Sequence, residues 1–144
     1  KYNLSDYILL FPFCSEHLEQ KKWPYYDQLI KMIKQNHPNL KIVIAPGPSE
    51  IEKAKKFDAV SILKEDKAIS ISELAGLIKK SRFVVSNDTG PAHMAAHMNV
   101  KGLSLFGSHT TAYKVSIERE NFKVIQVSDL KNLSAEKVFE RLVF

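Results

Sequence analysis

The 144 residues are 44% hydrophobic and 26% charged, an ordinary balance for one globular domain. No apolar run approaches the roughly 20 residues that span a bilayer, and the single cysteine, Cys14, excludes an internal disulfide and fits a reducing cytoplasm. The net charge of +5 is spread evenly along the chain, which argues against a basic arm that binds nucleic acid.

The first half of the chain alternates strand-like and helix-like segments. Residues 7–13 are an apolar run of strand length, typical of a strand buried on both faces of a parallel sheet. Pro24 suits the first turn of a helix, and Pro38 ends that helix. Residues 40–45 and 59–63 predict the next two strands. One apolar stripe runs along the predicted helix and comprises Trp23, Tyr26, Leu29, Ile30 and Ile33.

The second half continues the alternation, and serines mark the predicted helix starts. Ser49 and Ser134 are expected N-caps, and either Ser70 or Ser72 caps a helix between them. Residues 107–121 are the least regular stretch and predict a loop over one sheet edge. The remaining predicted elements are strands at 82–86, 102–106 and 122–127 and a helix at 91–98.

Repeated strand–helix units predict an α/β domain, a Rossmann-like parallel sheet with helices on both faces. Ligands of such sheets bind beside the carboxyl ends of the strands. We therefore expect the loops after Phe13, Ala45, Ser86 and Phe106 to form the functional site.

The segment 84–93 carries the strongest chemical signal. A buried strand ends in small polar residues, and a helix begins near Pro91, which needs no N–H at the first turn. The free N–H groups of that turn and the helix dipole favour an anion. Thr89 adds a hydroxyl donor, and His93 can donate to the same anion from one turn further on. Asp88 can cap the helix or accept from a ribose hydroxyl.

A simpler interpretation of this segment stays open. Asp88 and Thr89 can be ordinary N-caps, and His93 can be a helix histidine whose hydrogen bonds are satisfied. Gly90 allows close backbone approach in either case. Neither the Gly-x-Gly-x-x-Gly dinucleotide pattern nor the P-loop pattern occurs in the chain.

Residues 87–96 contain an Asp-Thr-Gly-x-x-His core, and Phe-Gly follows at 106–107. Together they resemble the signature of the family-9 glycosyltransferases, the ADP-heptose:lipopolysaccharide heptosyltransferases. Residues 10–13 and 21–24 are similar to that family's strand, loop and Lys-x-Trp-Pro helix start. Residues 71–78 resemble the helix before the signature strand, so the resemblance covers most of the chain in order.

The resemblance implies the C-terminal, donor-binding half of a two-domain GT-B glycosyltransferase. The nucleotide sugar would then bind to this chain, and the acceptor would bind to the N-terminal domain. The family pattern implies that the nucleotide diphosphate is held by Asp88, Thr89, Gly90 and His93.

Three further donor-binding residues follow from the same resemblance. Lys21 matches a lysine that reaches the sugar or the phosphates, and the Ser15 hydroxyl is a candidate phosphate contact. A glutamate in the loop after the second strand often contacts the nucleoside in this family. Glu50 is the candidate, and Ser49 is the alternative if the alignment shifts by one residue.

The resemblance also implies the reaction and its setting. The donor would be ADP-heptose, the acceptor the lipopolysaccharide inner core, and neither a metal nor another cofactor is expected. The catalytic base would be a carboxylate of the N-terminal domain, so this chain alone is expected to be inactive. The enzyme would work in the cytoplasm, in peripheral contact with the inner membrane through basic residues, and would not bind nucleic acid.

Two other functions stay open. A domain of this size without a catalytic base can be a non-catalytic nucleotide-binding module. Another GT-B enzyme, such as a sugar-nucleotide 2-epimerase, also places a diphosphate at a helix N-terminus but needs no acceptor.

Overall fold

The computed structural model describes residues 4–13, 22–107 and 117–142. Within these ranges the six strands are β1 (Tyr7–Phe11), β2 (Lys41–Ile44), β3 (Val60–Ser61), β4 (Phe83–Asn87), β5 (Gly102–Phe106) and β6 (Phe122–Gln126). They form one parallel sheet in the order β3-β2-β1-β4-β5-β6. This order is the doubly wound Rossmann arrangement, and it confirms the predicted fold class.

The described helices connect the strands as crossovers or follow the last strand. None of them has the length and apolar character needed to cross a membrane. They are α1 (Tyr26–Asn36), α2 (Ile51–Ala54), α3 (Ile71–Lys80), α4 (Gly90–His97) and α5 (Ala135–Glu140), with a 3₁₀ helix at Leu130–Asn132.

Helices cover both faces of the sheet, as predicted. On one face, Ile8 and Leu10 of β1 pack in a core with α1 and α5. On the other, Leu9 and its neighbours pack with α3 and α4. This division follows from the alternation of side chains along a strand. Full burial of each large aliphatic side chain contributes about 1.5–3 kcal/mol, so the two apolar layers hold the sheet between them.

The helix starts differ in part from prediction. Ser70 caps α3 and forms a capping box with Glu73, which resolves the choice between Ser70 and Ser72. Ser134 caps α5 as predicted. The cap predicted at Ser49 was wrong, because the N-cap of α2 is the next residue. Pro24 likewise precedes the first turn of α1, whose N-cap is Tyr25.

The register of the central strands sets the position of the functional site. Leu10 of β1 is paired with Ile44 of β2 and with Val85 of β4. The carboxyl ends of the three strands therefore lie side by side at one edge of the sheet. The described residues that follow them, among them Phe13, Pro46 and Asp88, line one pocket there.

Candidate functional site

The carboxyl ends of β1, β2 and β4 open into a pocket of about 780 Å³. Residues that follow these strands supply much of its lining, as parallel-sheet topology predicts. Polar and apolar groups share the pocket, an arrangement that suits a small ligand with a polar part and an apolar part. The polar lining includes Ser49, Glu50, Lys53, Asp88, Thr89 and His93, and the apolar lining includes Phe11, Phe13, Ile44, Ile69, Ile71 and Leu74.

Helix α4 begins at the pocket directly after β4. Thr89 is its N-cap, Gly90 is its first residue, and Pro91 lies in its first turn. The N–H groups of a first turn have no intrahelical partner and carry partial positive charge. Since proline has no N–H, Pro91 starts the helix without adding an unpaired donor. The pocket is thus bordered by a helix N-terminus, which is a favourable place for an anion.

The hydroxyl of Thr89 is not used as a helix cap. An N-cap threonine ordinarily accepts a hydrogen bond from an N–H of the first turn. Thr89 makes no such bond, and its Oγ1 is buried without a hydrogen-bond partner among the described residues. A buried polar group left unpaired costs about 1–3 kcal/mol. Thr89 therefore borders the pocket with unused hydrogen-bonding capacity.

Asp88 and His93 face each other across the start of α4. Asp88 Oδ1 lies 3.4 Å from His93 Nε2, and the two side chains are 7% and 37% exposed. The contact is an ion pair when the imidazole is protonated. The buried carboxylate thus orients the more exposed ring, which lines the pocket.

Glu50 is held in the loop between β2 and α2. Its Oε1 accepts a hydrogen bond of 2.9 Å from the backbone N–H of Gly47. This bond closes the loop and fixes the carboxylate at the pocket, leaving Oε2 as a second acceptor. Ser49, the alternative nucleoside contact, lines the same pocket.

The structure brings five of the seven predicted donor-binding residues to one pocket, namely Glu50, Asp88, Thr89, Gly90 and His93. The other two, Lys21 and Ser15, lie outside the described residues, as does Cys14.

Two residues of interest were missed by sequence reasoning. Lys53 lines the pocket from α2, three positions after Glu50. Helical spacing places residues i and i+3 on one face, so the distance in sequence from Glu50 could have indicated Lys53.

Asn87 is fully buried, and its Oδ1 accepts from the Trp23 N–H at 3.3 Å and the Tyr26 hydroxyl at 3.2 Å. These partners are more than 60 positions away, so no local pattern could reveal the contact.

In residues 4–13, 22–107 and 117–142, no three His, Cys, Asp or Glu side chains form a group that could hold a metal ion.

A family comparison covers nearly the whole chain. The model of glycosyltransferase family 9 (heptosyltransferase) matches residues 2–142. Lipopolysaccharide heptosyltransferase 1 of Campylobacter coli is 29% identical over 100 residues, which cover 63% of this chain and 29% of that protein.

Solved structures share the fold. E. coli heptosyltransferase WaaC with ADP has a TM-score of 0.81 at 24% identity, over 96% of this chain and 45% of that chain. WaaC with ADP-2-deoxy-2-fluoro heptose has a TM-score of 0.78 at 23% identity, over 97% and 43%. The UDP-GlcNAc 2-epimerase from Methanocaldococcus jannaschii has a lower TM-score of 0.64 at 16% identity, over 94% and 37%. The chain spans less than half the length of these relatives.

Proposed function

The chain belongs to glycosyltransferase family 9, the heptosyltransferases, and from that premise we propose that it binds the donor in an enzyme that transfers heptose from ADP-heptose to the lipopolysaccharide inner core. The observation that carries the proposal is the start of α4 at the pocket, with the unpaired hydroxyl of Thr89 beside it. The solved relative WaaC binds ADP, which identifies the nucleotide to test first.

The diphosphate of the donor would lie at the start of α4. The first-turn N–H groups attract an anion there, Gly90 allows its close approach, and the Thr89 hydroxyl supplies a donor. His93 can donate a further hydrogen bond while Asp88 orients its ring. Each hydrogen bond to a charged group contributes about 1.5–3 kcal/mol. A few such contacts suffice for micromolar affinity.

The nucleoside would occupy the part of the pocket near β2. Glu50 has a carboxylate oxygen available to accept from ribose hydroxyls, since only Oε1 is bonded to Gly47. Apolar side chains from β1, β2 and α3, including Phe11 and Leu74, offer surface for a base. Ser49 lies close enough in the chain to replace Glu50 in this role.

Charge development explains how these residues would assist the reaction. The leaving diphosphate gains negative charge in the transition state of glycosyl transfer. Preorganised donors at the α4 N-terminus and at His93 stabilise that charge electrostatically. Lys21 is proposed to add positive charge to the same site, and Ser15 a hydroxyl donor.

The remaining functions of the enzyme are assigned to a second domain. The chain spans 45% of the length of WaaC, in keeping with the proposal that it is one half of a two-domain GT-B enzyme. The resemblance to the family implies the C-terminal half. The acceptor site and the catalytic base, a carboxylate, would belong to the N-terminal half. Removal of that half is expected to abolish transfer while retaining donor binding.

A peripheral contact with the cytoplasmic side of the inner membrane completes the proposal. Exposed cations lie at the edge of the sheet opposite the pocket, where the strands begin. One depression is lined by Lys79, Arg82 and Lys101. A second is lined by Lys101, Lys123 and Arg141, together with Glu120. Although Arg82 is paired with Asp6 at 2.9 Å, the excess of cations suits anionic lipid headgroups.

The membrane contact is tested by flotation with vesicles. Binding to anionic phosphatidylglycerol vesicles that falls with salt, and no binding to phosphatidylcholine vesicles, is expected. A Lys101→Glu, Lys123→Glu variant should bind less, whereas Lys31→Glu on α1 should bind as the parent does. Equal binding of the two variants to anionic vesicles would refute a role for this surface.

The donor site is tested by calorimetric titration with ADP, UDP and GDP. We expect ADP to bind best, and Asp88→Ala or His93→Ala to weaken it about tenfold or more. His97→Ala is the matched control, because His97 is exposed one turn further along α4 and contacts Arg119 instead. Absence of ADP binding by the folded protein, or full transferase activity of Asp88→Ala in the full-length enzyme, would refute the assignment.

A sugar-nucleotide 2-epimerase is the second candidate, favoured only by the shared fold with the M. jannaschii enzyme. Incubation with a UDP-sugar and no acceptor separates the two reactions. Conversion to an epimer would support the second candidate, whereas dependence on an acceptor supports heptosyl transfer.

A further inference from the structure

We propose that Ile71 packs against the nucleobase of the donor and determines a preference for a purine. The side chain lies at the start of α3, on the border of the pocket, and a purine offers it more surface than a pyrimidine does. This inference rests on the proposed donor site at α4.

Ile71 is an apolar side chain that the fold leaves in water. Ile71 and Val60 are the two large hydrophobic side chains that are exposed among the described residues, at 72% and 41%. Ile71 lines the pocket, whereas Val60, on the edge strand β3, does not. Ile71 also belongs to neither apolar layer of the core. A ligand group that covers Ile71 therefore gains affinity from apolar burial without disturbing the core.

Two helices start at the pocket, and their caps differ. At α4, Thr89 makes no side-chain cap hydrogen bond. At α3, the Ser70 hydroxyl accepts from the Glu73 N–H at 3.1 Å, and Glu73 Oε1 accepts from the Ser70 N–H at 2.9 Å. This capping box occupies two backbone donors and places a carboxylate at the helix start, so it disfavours an anion there. The diphosphate therefore fits α4, and the start of α3 is left to an uncharged part of the donor.

The side chains that α3 turns toward the pocket are apolar. Ile71 and Leu74 lie on one face of the helix and both line the pocket, whereas Glu73 does not. Ile69, just before the helix, also lines the pocket. The three side chains form an apolar border. The nucleobase is the flat, weakly polar part of a nucleotide, so it is the part that this border suits.

The gain from Ile71 depends on the size of the base. Hydrophobic stabilisation is roughly proportional to the apolar area removed from water. The fused rings of adenine cover more of an aliphatic side chain than the single ring of uracil does. ADP and UDP carry the same diphosphate, so contacts at α4 contribute equally to both. Ile71 therefore changes the ratio of the two affinities, whereas residues of α4 change both affinities together.

The test is calorimetric titration of the parent and its variants with ADP and, by displacement of ADP, with UDP. Ile71→Ser should lower ADP affinity about fivefold or more and UDP affinity less than about twofold. Ile71→Met, which restores apolar surface, should keep the parent's ratio of the two affinities. Val60→Ser is the matched control and should change neither affinity. His93→Ala should lower both affinities by a similar factor.

Thermal unfolding without nucleotide separates a ligand contact from a role in the fold. Because Ile71 is exposed, the Tm of Ile71→Ser should lie within about 3 °C of the parent's. A larger fall would assign the side chain to the fold and overturn the proposal.

The outcomes also separate this inference from the proposed function. If the parent protein binds neither nucleotide, the donor site itself is wrong. If the parent binds ADP and Ile71→Ser binds it equally well, the role of Ile71 is refuted while the donor site stands. An equal loss of ADP and UDP affinity would place Ile71 against a part common to both nucleotides and overturn the base preference. Unchanged nucleotide binding with slower transfer by the full-length enzyme would assign Ile71 to a contact with the second domain instead.

Discussion

Replacement of Thr89 by valine should raise stability and lower donor affinity. The two side chains have nearly the same shape, so the change removes a hydroxyl that is buried and unpaired. Relief of that unpaired group is worth about 1–3 kcal/mol, or a rise in Tm of about 3 °C or more. Rotation between staggered χ1 positions lets the hydroxyl reach a bound phosphate. Loss of one charge-assisted hydrogen bond then weakens ADP binding about 10- to 100-fold.

The assay pairs thermal unfolding with calorimetric titration of ADP on the same preparations. Ser86→Ala is the matched control, because Ser86 Oγ is likewise buried and unpaired among the described residues but Ser86 does not line the pocket. The control should gain stability with unchanged ADP affinity. A Thr89→Val protein that is less stable than the parent would show that the hydroxyl has a hydrogen-bond partner within the fold. A Thr89→Val protein that binds ADP as tightly as the parent would show that the hydroxyl does not contact the ligand.

Three further predictions concern the scaffold. Gly102→Ala should lower the free energy of unfolding by about 1–3 kcal/mol in urea titration, because the Cβ of the alanine would lie 2.6 Å from the Phe122 ring. An unchanged urea midpoint would contradict this. Asp66→Gly should stabilise by about 1 kcal/mol, since Asp66 has φ 65° in a tight turn where glycine is unstrained; a loss of stability would exclude strain there. Hydrogen bonds from Ser70, foremost from its backbone N–H, help to lower the pKa of Glu73 below its ordinary 4.5. The stability that this carboxylate adds is therefore present above pH 4.5 and is lost as the pH falls through the lowered pKa. Urea titrations between about pH 5 and pH 3 should show a smaller pH dependence for Glu73→Gln than for the parent.

Most of the fold could be predicted from periodicity and breakers. The predicted strand at 102–106 coincides with β5, and the stripe from Trp23 to Ile33 is buried as expected. One error arose where two local rules conflicted. The first strand ends at Phe11 because Pro12 has no N–H for the sheet ladder, although the apolar run continues to residue 13.

The site was predictable where its residues are contiguous and obscure where they are not. Residues 88–93 lie on one strand–turn–helix segment, so a pattern could locate them together. Glu50 and Ser49 could not be separated because they are adjacent in sequence. The structure distinguishes them by the hydrogen bond from the Gly47 N–H to Glu50 Oε1. Asn87 required knowledge that α1 packs beside the end of β4, which no local spacing encodes.

The buried side-chain nitrogen and oxygen atoms without a hydrogen-bond partner among the described residues are all at one place. Ser86 Oγ, Asn87 Nδ2 and Thr89 Oγ1 lie within four consecutive positions at the end of β4. At about 1–3 kcal/mol each, they consume a substantial part of a typical domain stability of about 5–15 kcal/mol. The apolar layers on both sides of the sheet offset that cost. Such a concentration is expected where a ligand supplies the missing partners. A ligand that binds only the folded state adds more stability the more tightly it binds. ADP should therefore protect the parent protein against unfolding more than it protects Thr89→Val.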